Sequence, residues 1–157
     1  MTNIELVQKL ERRGLTLGSV ESMTGGLFAS TICAVPGASN VFQGSLITYS
    51  NELKKELAHI TDEVIAKHGV ISGQCARDMA VNGVRSLDVD VCVSFTGNAG
   101  PTMMEGKPSG LVYIGLAIRD NTTIVQKYRF TGERNQVREQ AVEAAIKLIM
   151  ANLTDTK

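Results

Sequence analysis

A chain of 157 residues has the length of one domain, and its 16 lysine and arginine residues balance its 16 acidic residues. Because the net charge is zero, no overall field attracts nucleic acid or an anionic membrane, while a local basic pocket for a small anion stays possible. No stretch approaches the roughly 20 apolar residues that span a bilayer, and the first residues lack the basic start of a signal peptide. We therefore expect a cytoplasmic protein without nucleic-acid or membrane partners.

The three cysteines, Cys33, Cys75 and Cys92, are odd in number and lack CxxC spacing. This pattern argues against a disulfide framework or a zinc site, and it favours a reducing compartment. We expect all three to be thiols in the hydrophobic core.

The chain opens with a predicted helix, because Thr2 and Glu5 have the spacing of a capping box and apolar residues follow at helical intervals. Residues 15–21 form a short apolar segment that predicts a strand, and helical composition resumes at residues 27–35 after two glycines. Ser22 therefore lies on a predicted strand-to-helix turn.

A second turn of the same kind follows a Pro-Gly break. Residues 45–50 predict a strand, and residues 51–60 predict a charged amphipathic helix. Tyr49 ends this strand and Lys54 lies one turn into the helix, so both side chains can point into one cleft.

The next predicted helix is capped by Ser72, and residues 89–95 then alternate as a strand does before the loop that begins at Thr96. The apolar run at residues 111–118 predicts a central strand covered on both faces. A short turn leads from it into a strand over residues 122–130.

The last predicted helix begins near Arg134. Alternation of helices and strands predicts a single α/β domain, a three-layer α/β/α arrangement in which the hairpin makes a mostly parallel sheet mixed. Ligands are expected in the loops at the carboxyl ends of the parallel strands.

The first polar cluster surrounds Ser22, our candidate nucleophile. Thr24, Gly25 and Gly26 are candidates for substrate binding, because glycines let backbone N–H groups approach a ligand and the following helix offers its positive end. The cluster is not the GxSxG elbow of α/β-hydrolases, and plain helix capping is the alternative interpretation. Ser22 needs a base before a catalytic role follows.

Histidine is a poor candidate for that base. His59 and His68 are the only two, and both lie in helical or connecting segments away from the glycine turns, which disfavours a Ser-His-Asp triad and a metal site. Lys54 and Tyr49 remain. Lys54 works as a base only where burial or a neighbouring cation lowers its pKa, and a solvated helix lysine is the alternative.

Two further clusters carry polar groups. The loop from Thr96 and Gly97 to Pro101 can place N–H groups and a hydroxyl around a polar substrate. Arg134 at a helix start, with Arg138 one turn later, suits a phosphate group, and ordinary surface arginines are the alternative.

Five motifs occur in a fixed order: Glu-Ser-x-Thr-Gly-Gly from Glu21, Thr-Tyr-Ser-Asn-Glu-x-Lys from Thr48, Thr-Gly-x-Ala-Gly-Pro from Thr96, Lys-Pro-x-Gly from Lys107 and Gly-x-Arg from Gly132. In this order and spacing, over residues 4–153, the chain resembles the C-terminal domain of the competence/damage-inducible protein CinA. That family includes stand-alone nicotinamide-mononucleotide amidohydrolases.

The resemblance implies a catalytic set of Ser22, Tyr49 and Lys54. It implies substrate binding by Thr96 and Arg134, and Asn51 and Gly97 are further candidates from the same motifs. A three-layer domain with a mixed sheet, usually a homo-oligomer, is implied as well, with no metal and no cofactor.

The sequence departs from the family pattern at three places. Met23 replaces the usual cysteine, Asn98 replaces a small apolar residue, and Thr102-Met103-Met104 replaces Asp-Gly-Gly. None of these changes removes a proposed catalytic group, but the last two alter a substrate loop. We expect specificity to change there before chemistry does.

The leading hypothesis is hydrolysis of the carboxamide of nicotinamide mononucleotide to nicotinate mononucleotide and ammonia. Neutral Lys54 would take the proton of Ser22, and N–H groups of the glycine turn would hold the oxyanion. A catalytically silent nucleotide-binding or assembly module is the alternative, and an amidase for another phosphorylated amide is a third. In each, the expected partner is a small-molecule nucleotide or phosphorylated amide.

Overall fold

The computed structural model describes residues 2–153, in which five strands form one sheet. The strands are β1 Leu17–Glu21, β2 Phe42–Ile47, β3 Val91–Gly97, β4 Leu111–Ile118 and β5 Thr123–Arg129. The helices are α1 Asn3–Arg13, α2 Leu27–Cys33, α3 Asn51–Ala58, α4 Asp62–His68, α5 Gly73–Leu87 and α6 Arg134–Asn152, with a short 3-10 helix at Ala38–Asn40.

The strand order is β2-β1-β3-β4-β5. β1 pairs in parallel with β2 and β3, whereas β4 is antiparallel to both β3 and β5. Four of the five strands described therefore run in one direction and β4 runs in the other. This arrangement confirms the predicted mixed, mostly parallel sheet.

The register of the three parallel strands brings their carboxyl ends to one edge of the sheet, where β3 continues past Phe95 to Gly97. Glu21, the last residue of β1, lies opposite Ile47 of β2 and Phe95 of β3. Because these ends meet at one edge of the sheet, the chain leaves all three strands close together, directly before the predicted polar clusters.

Two layers of helices cover the sheet, as predicted. Helices α1, α2 and α6 enclose one hydrophobic core, in which the rings of Phe28 and Phe95 lie 5.5 Å apart, while α3, α4 and α5 enclose the other around Met79. Burying a side chain of this size stabilises the fold by about 1.5–3 kcal/mol. Within residues 2–153, no helix combines the length and the apolar character that crossing a membrane requires.

Several helix boundaries match the sequence signals. Thr2 and Glu5 form the predicted capping box, α1 ends at Gly14 with a φ of 65°, and the side chain of Ser72 accepts the N–H of Cys75. These residues satisfy backbone groups at the helix ends.

Two predictions about local structure were wrong, and one helix was missed. β2 begins at Phe42 and not at residue 45. The helix α4 was not predicted, because its contact with the core is limited to the partly buried Val64 and Ile65. Cys75 and Cys92 are buried thiols as expected, but Cys33, the last residue of α2, is exposed, and the buried residues of that helix are Phe28 and Ile32.

The buried hydroxyl of Thr48 generates a test of stability. Its oxygen has no hydrogen-bond partner among the residues described, and an unpaired buried polar group costs about 1–3 kcal/mol. We expect Thr48→Val to leave the free energy of unfolding unchanged or to raise it by about 1 kcal/mol, measured by urea denaturation.

Thr96→Val is the matched control, because the Thr96 hydroxyl is also buried but donates to the carbonyl of Val70 at 2.6 Å. The control should lose about 1–3 kcal/mol. Equal losses in both variants would show that the Thr48 hydroxyl is hydrogen-bonded in solution.

Candidate active site

A cavity of about 80 Å³ lies at the carboxyl ends of β1 and β3, where the chain also leaves β2. Seven residues proposed from the sequence line it: Ser22, Tyr49, Asn51, Lys54, Thr96, Gly97 and Arg134. Larger surface depressions exist, such as the one beside β5 and α6, but they lack a serine next to a lysine.

The centre of the cavity is the pair Ser22 and Lys54. Ser22 follows β1 directly, and its N–H donates to the carbonyl of Phe95 at 3.0 Å. This bond ties residues 22–26 to β3, and we call these residues the nucleophile turn after the candidate role of Ser22. Lys54 lies in the first turn of α3, a helix capped by the Ser50 side chain. Its Nζ is 3.0 Å from Ser22 Oγ and 3.2 Å from the carbonyl oxygen of Tyr49.

Both members of the pair are buried, with Lys54 2% exposed and Ser22 7% exposed. Burial lowers the pKa of Lys54 from its usual value, because an ammonium loses its hydration, while negative charge at Cys75 or Glu105 opposes that effect. Burial also raises the pKa of the Cys75 thiol to about 12, so this thiol is neutral near pH 7. In its neutral form the Lys54 amine can accept the hydrogen of the Ser22 hydroxyl.

A buried carboxylate that the sequence interpretation left without a role supports the nucleophile turn. Glu21 is fully buried, and its oxygens accept N–H groups from Gly26, Phe28 and Ala29 at 3.0–3.2 Å and the Thr24 hydroxyl at 2.7 Å. The sequence offered one indication of this role, because Glu21 is an acidic residue in a predicted strand whose other residues are apolar or small.

This carboxylate changes the interpretation of the glycine turn. Glu21 already occupies the positive end of α2, so that end holds an internal anion and is not free for a substrate anion. The side chain of Thr24 also points to Glu21 and is fully buried. Gly25 and Gly26 are needed for conformation, since their φ angles are 57° and 98°.

The N–H groups of the two glycines are likewise used inside the protein. Gly25 donates to the carbonyl of Ser22 at 3.0 Å and Gly26 donates to Glu21 at 3.1 Å. Within residues 2–153, the N–H of Met23 makes no hydrogen bond, and Met23 lines the cavity. The residue after the nucleophile supplies an oxyanion donor in α/β-hydrolases, so Met23 replaces the glycines as our candidate donor.

The two predicted arginines have different positions. Arg134 lines the cavity, where its guanidinium donates to the carbonyl of Gly100 at 2.6 Å and to the Tyr49 hydroxyl at 3.0 Å. Arg138 does not line the cavity. It donates to the carbonyls of Met23 at 3.0 Å and Thr24 at 2.6 Å, and it therefore holds the nucleophile turn.

The loop that departs from the family pattern is closed by its own polar groups. The Asn98 amide nitrogen donates to the carbonyls of Thr102 at 2.7 Å and Lys107 at 3.2 Å, and its oxygen accepts the N–H of Gly100. Asn98 therefore shapes the loop. Met104 lines the cavity, whereas Met103 is 65% exposed and does not line it.

The residues described, 2–153, contain no group of three or more His, Cys, Asp or Glu side chains placed to hold a metal ion. His59 and His68 lie at the ends of α3 and α4, and neither lines the cavity.

Comparisons with known proteins agree with this fold. The model of the CinA C-terminal domain family matches residues 2–153. A protein of Oceanobacillus iheyensis named "Putative competence-damage inducible protein" is 42% identical over 144 residues, which is 92% of this chain and 34% of the relative. A protein of the same name from Listeria welshimeri is 41% identical over 94% of this chain and 35% of its own length.

Solved structures of the CinA superfamily are similar as well. One from Klebsiella pneumoniae has a TM-score of 0.93 at 29% identity and covers 96% of this chain and 94% of its own. The competence/damage inducible protein CihA from Agrobacterium tumefaciens has a TM-score of 0.88 at 28% identity, covering 95% of this chain and 94% of its own.

The fold and the site together define an α/β protein with a serine and a buried lysine at the carboxyl ends of its parallel strands. The chain belongs to the CinA C-terminal domain family. It spans about a third of the length of the curated relatives it matches.

The hydrogen bonds of Glu21 generate a test. Glu21→Gln keeps the shape but turns an amide NH₂ toward backbone N–H donors, so we expect the free energy of unfolding to fall by about 1.5–3 kcal/mol, measured by urea denaturation. Glu11→Gln is the control, because Glu11 is exposed and accepts one side-chain bond from Asn40. Equal stability of the two variants would contradict the assigned role of Glu21.

Proposed function

We propose that this domain hydrolyses the carboxamide of nicotinamide mononucleotide to nicotinate mononucleotide and ammonia. The observation that carries this proposal is the buried Lys54 amine 3.0 Å from the Ser22 hydroxyl oxygen. A serine becomes a nucleophile when an adjacent base takes its proton, and a buried lysine with a lowered pKa is such a base.

The reaction proceeds through an acyl-enzyme. Lys54 Nζ accepts the proton of Ser22 as Ser22 Oγ bonds to the amide carbon, and the oxyanion that forms accepts the N–H of Met23. The tetrahedral intermediate collapses, its C–N bond breaks, and Lys54 returns the proton so that ammonia leaves. Water then attacks the ester with Lys54 as base, releasing the carboxylate product and the Ser22 hydroxyl.

The size of the cavity limits which part of the substrate it encloses. A volume of about 80 Å³ is well below the roughly 300–1,000 Å³ of sites that enclose whole drug-sized ligands. The cavity therefore accommodates the carboxamide and the adjoining edge of a planar ring. We therefore expect the ribose and phosphate to lie outside the cavity, next to Tyr49 and Arg134, which line it.

Arg134 supports a phosphorylated substrate. Its guanidinium has five N–H donors, and the bonds to Gly100 and Tyr49 use two of them. These bonds orient the group, and the remaining donors suit the bidentate binding of a phosphate.

We infer a cytoplasmic location from the thiols, because Cys33, Cys75 and Cys92 are all unpaired, as a reducing compartment favours. That this chain forms a homo-oligomer, as the family resemblance implies, stays a prediction.

Ammonia release by the purified domain tests the proposal, with nicotinamide mononucleotide compared with nicotinamide. Ser22→Ala should abolish release, and Lys54→Arg should be nearly as damaging, because arginine keeps the charge but cannot act as a base. Wild-type activity should rise with pH through the lowered pKa of Lys54, since the neutral amine is the active form.

Lys55→Arg is the matched control, because Lys55 is the next residue of α3 and lies at the surface in an ion pair with Asp62. It should keep full activity. Substantial activity in Lys54→Arg would mean that another group is the base. Calorimetric binding of the nucleotide by a wild type that releases no ammonia would favour a catalytically silent binding module.

The role of Arg134 is tested by a pair of substrates. Arg134→Ala should lower kcat/KM for the mononucleotide by an amount equivalent to roughly 1.5–3 kcal/mol, the range for hydrogen bonds to charged groups. It should barely change kcat/KM for the phosphate-free riboside. The readout is the ratio of kcat/KM for the two substrates. Arg12→Ala, a change of an exposed arginine in α1, should leave that ratio unaltered. Equal losses on both substrates would show that Arg134 only supports the loop.

A further inference from the structure

Side chains from β3 and the following loop form hydrogen bonds with every backbone N–H and carbonyl group of Val70 and Ile71. The carboxylate of Glu105 accepts the N–H of Val70 at 3.1 Å and that of Ile71 at 3.0 Å. The Lys107 ammonium donates to the carbonyl of Ile71 at 2.7 Å, and the Thr96 hydroxyl donates to the carbonyl of Val70 at 2.6 Å. All four backbone polar groups of this dipeptide are therefore bonded to Thr96, Glu105 and Lys107.

Val70 and Ile71 form an apolar wall of the cavity that holds Lys54. Glu105, which accepts both of their N–H groups, has a left-handed backbone with a φ of 53°. Glu105 and Gly106 form the two-residue turn of a short hairpin, which paired backbone hydrogen bonds between Met104 and Lys107 close. Such a turn requires positive φ at both of its central residues, so this hairpin fixes the position from which Glu105 reaches Val70 and Ile71.

The charged and titratable groups around Lys54 come from four directions. Cys75 of α5 is a neutral thiol near pH 7, because burial raises its pKa to about 12. Tyr49 presents its carbonyl to Lys54, and Arg134 of α6 lines the same cavity as a cation. Glu105, from the loop after β3, is a surface residue whose side chain is 30% exposed, and its carboxylate binds the N–H groups of Val70 and Ile71, which line the cavity. The Lys107 ammonium lies 3.8 Å from that carboxylate.

We propose that Glu105 is a positioning residue for the amide hydrolysis described above: it holds the Val70 and Ile71 wall against Lys54 and supplies the counter-charge for the ammonium that Lys54 becomes when it takes the Ser22 proton. The inference rests on the proposed function for its chemistry. Its electrostatic part concerns Lys54 alone and is measurable without turnover.

The direction of the pH effect follows from this charge. Activity rises with pH as Lys54 loses its proton. In Glu105→Gln the ammonium loses its counter-charge, so the pKa of Lys54 falls further and the acidic limb of the pH profile moves to lower pH. A residue that only held the wall would lower the rate by the same factor at every pH.

Lys107→Met should have the opposite effect. Removing this cation leaves the negative charge of Glu105 less compensated, so the pKa of Lys54 rises and the acidic limb of the pH profile moves to higher pH. Glu63→Gln is the control for loss of a carboxylate, since Glu63 is exposed in the first turn of α4 and does not line the cavity. Its pH profile should match that of the wild type.

The experiment combines two measurements on each variant. The first is the pH dependence of kcat for ammonia release. The second is NMR titration of protein with ¹³C-labelled lysine, in which the Lys54 signal is identified by its absence in Lys54→Arg. We expect the midpoint of the Lys54 titration to move down in Glu105→Gln and up in Lys107→Met, with the kinetic limb following.

An unchanged Lys54 midpoint in folded Glu105→Gln overturns the inference, whatever the ammonia assay gives. Should Glu105→Gln fail to fold, a Lys107→Met midpoint equal to that of the wild type overturns it. A wild type that releases no ammonia refutes the proposed function instead, and the NMR midpoints then decide the electrostatic part independently.

Discussion

The site depends on one constraint, the burial of a lysine amine beside a serine hydroxyl. An exposed lysine is protonated near neutral pH and cannot act as a base. Burial penalises the ammonium and lowers the pKa of Lys54, and the 3.0 Å distance to Ser22 Oγ gives the neutral amine a proton to accept. The same burial requires hydrogen-bond partners for the amine, which Ser22 and the Tyr49 carbonyl provide.

The fold brings these groups together through register. Three parallel strands end at the same edge of the sheet, so the nucleophile turn after β1, the start of α3 after β2 and the loop after β3 converge. Two carboxylates stabilise the backbone around this convergence: Glu21 is fully buried, whereas the side chain of Glu105 is 30% exposed. Glu21 binds the N–H groups at the start of α2 behind the serine, and Glu105 binds those of Val70 and Ile71 on the lysine side.

Local patterns were sufficient to predict most of the fold, whereas the choice of Ser22 and Lys54 as a catalytic pair rested on the resemblance to the CinA family. Hydrophobic periodicity, caps and turn residues predicted the layers and placed Ser22 and Lys54 on two strand-end turns. The periodic signal failed for α4, a short helix in which only Val64 and Ile65 are partly buried against the core. The partners of Glu21, Glu105 and Arg138 were not predictable, because these side chains bind backbone groups, some of them far away in sequence, and no residue type marks such a bond.

The most direct test of the account is mass spectrometry of the domain quenched in acid during turnover of nicotinamide mononucleotide. The account predicts a mass increment equal to a nicotinate mononucleotide acyl group on the peptide that contains Ser22, and no such increment in Ser22→Ala. Ammonia release accompanied by an acyl group on Lys54 or on any other residue would contradict it.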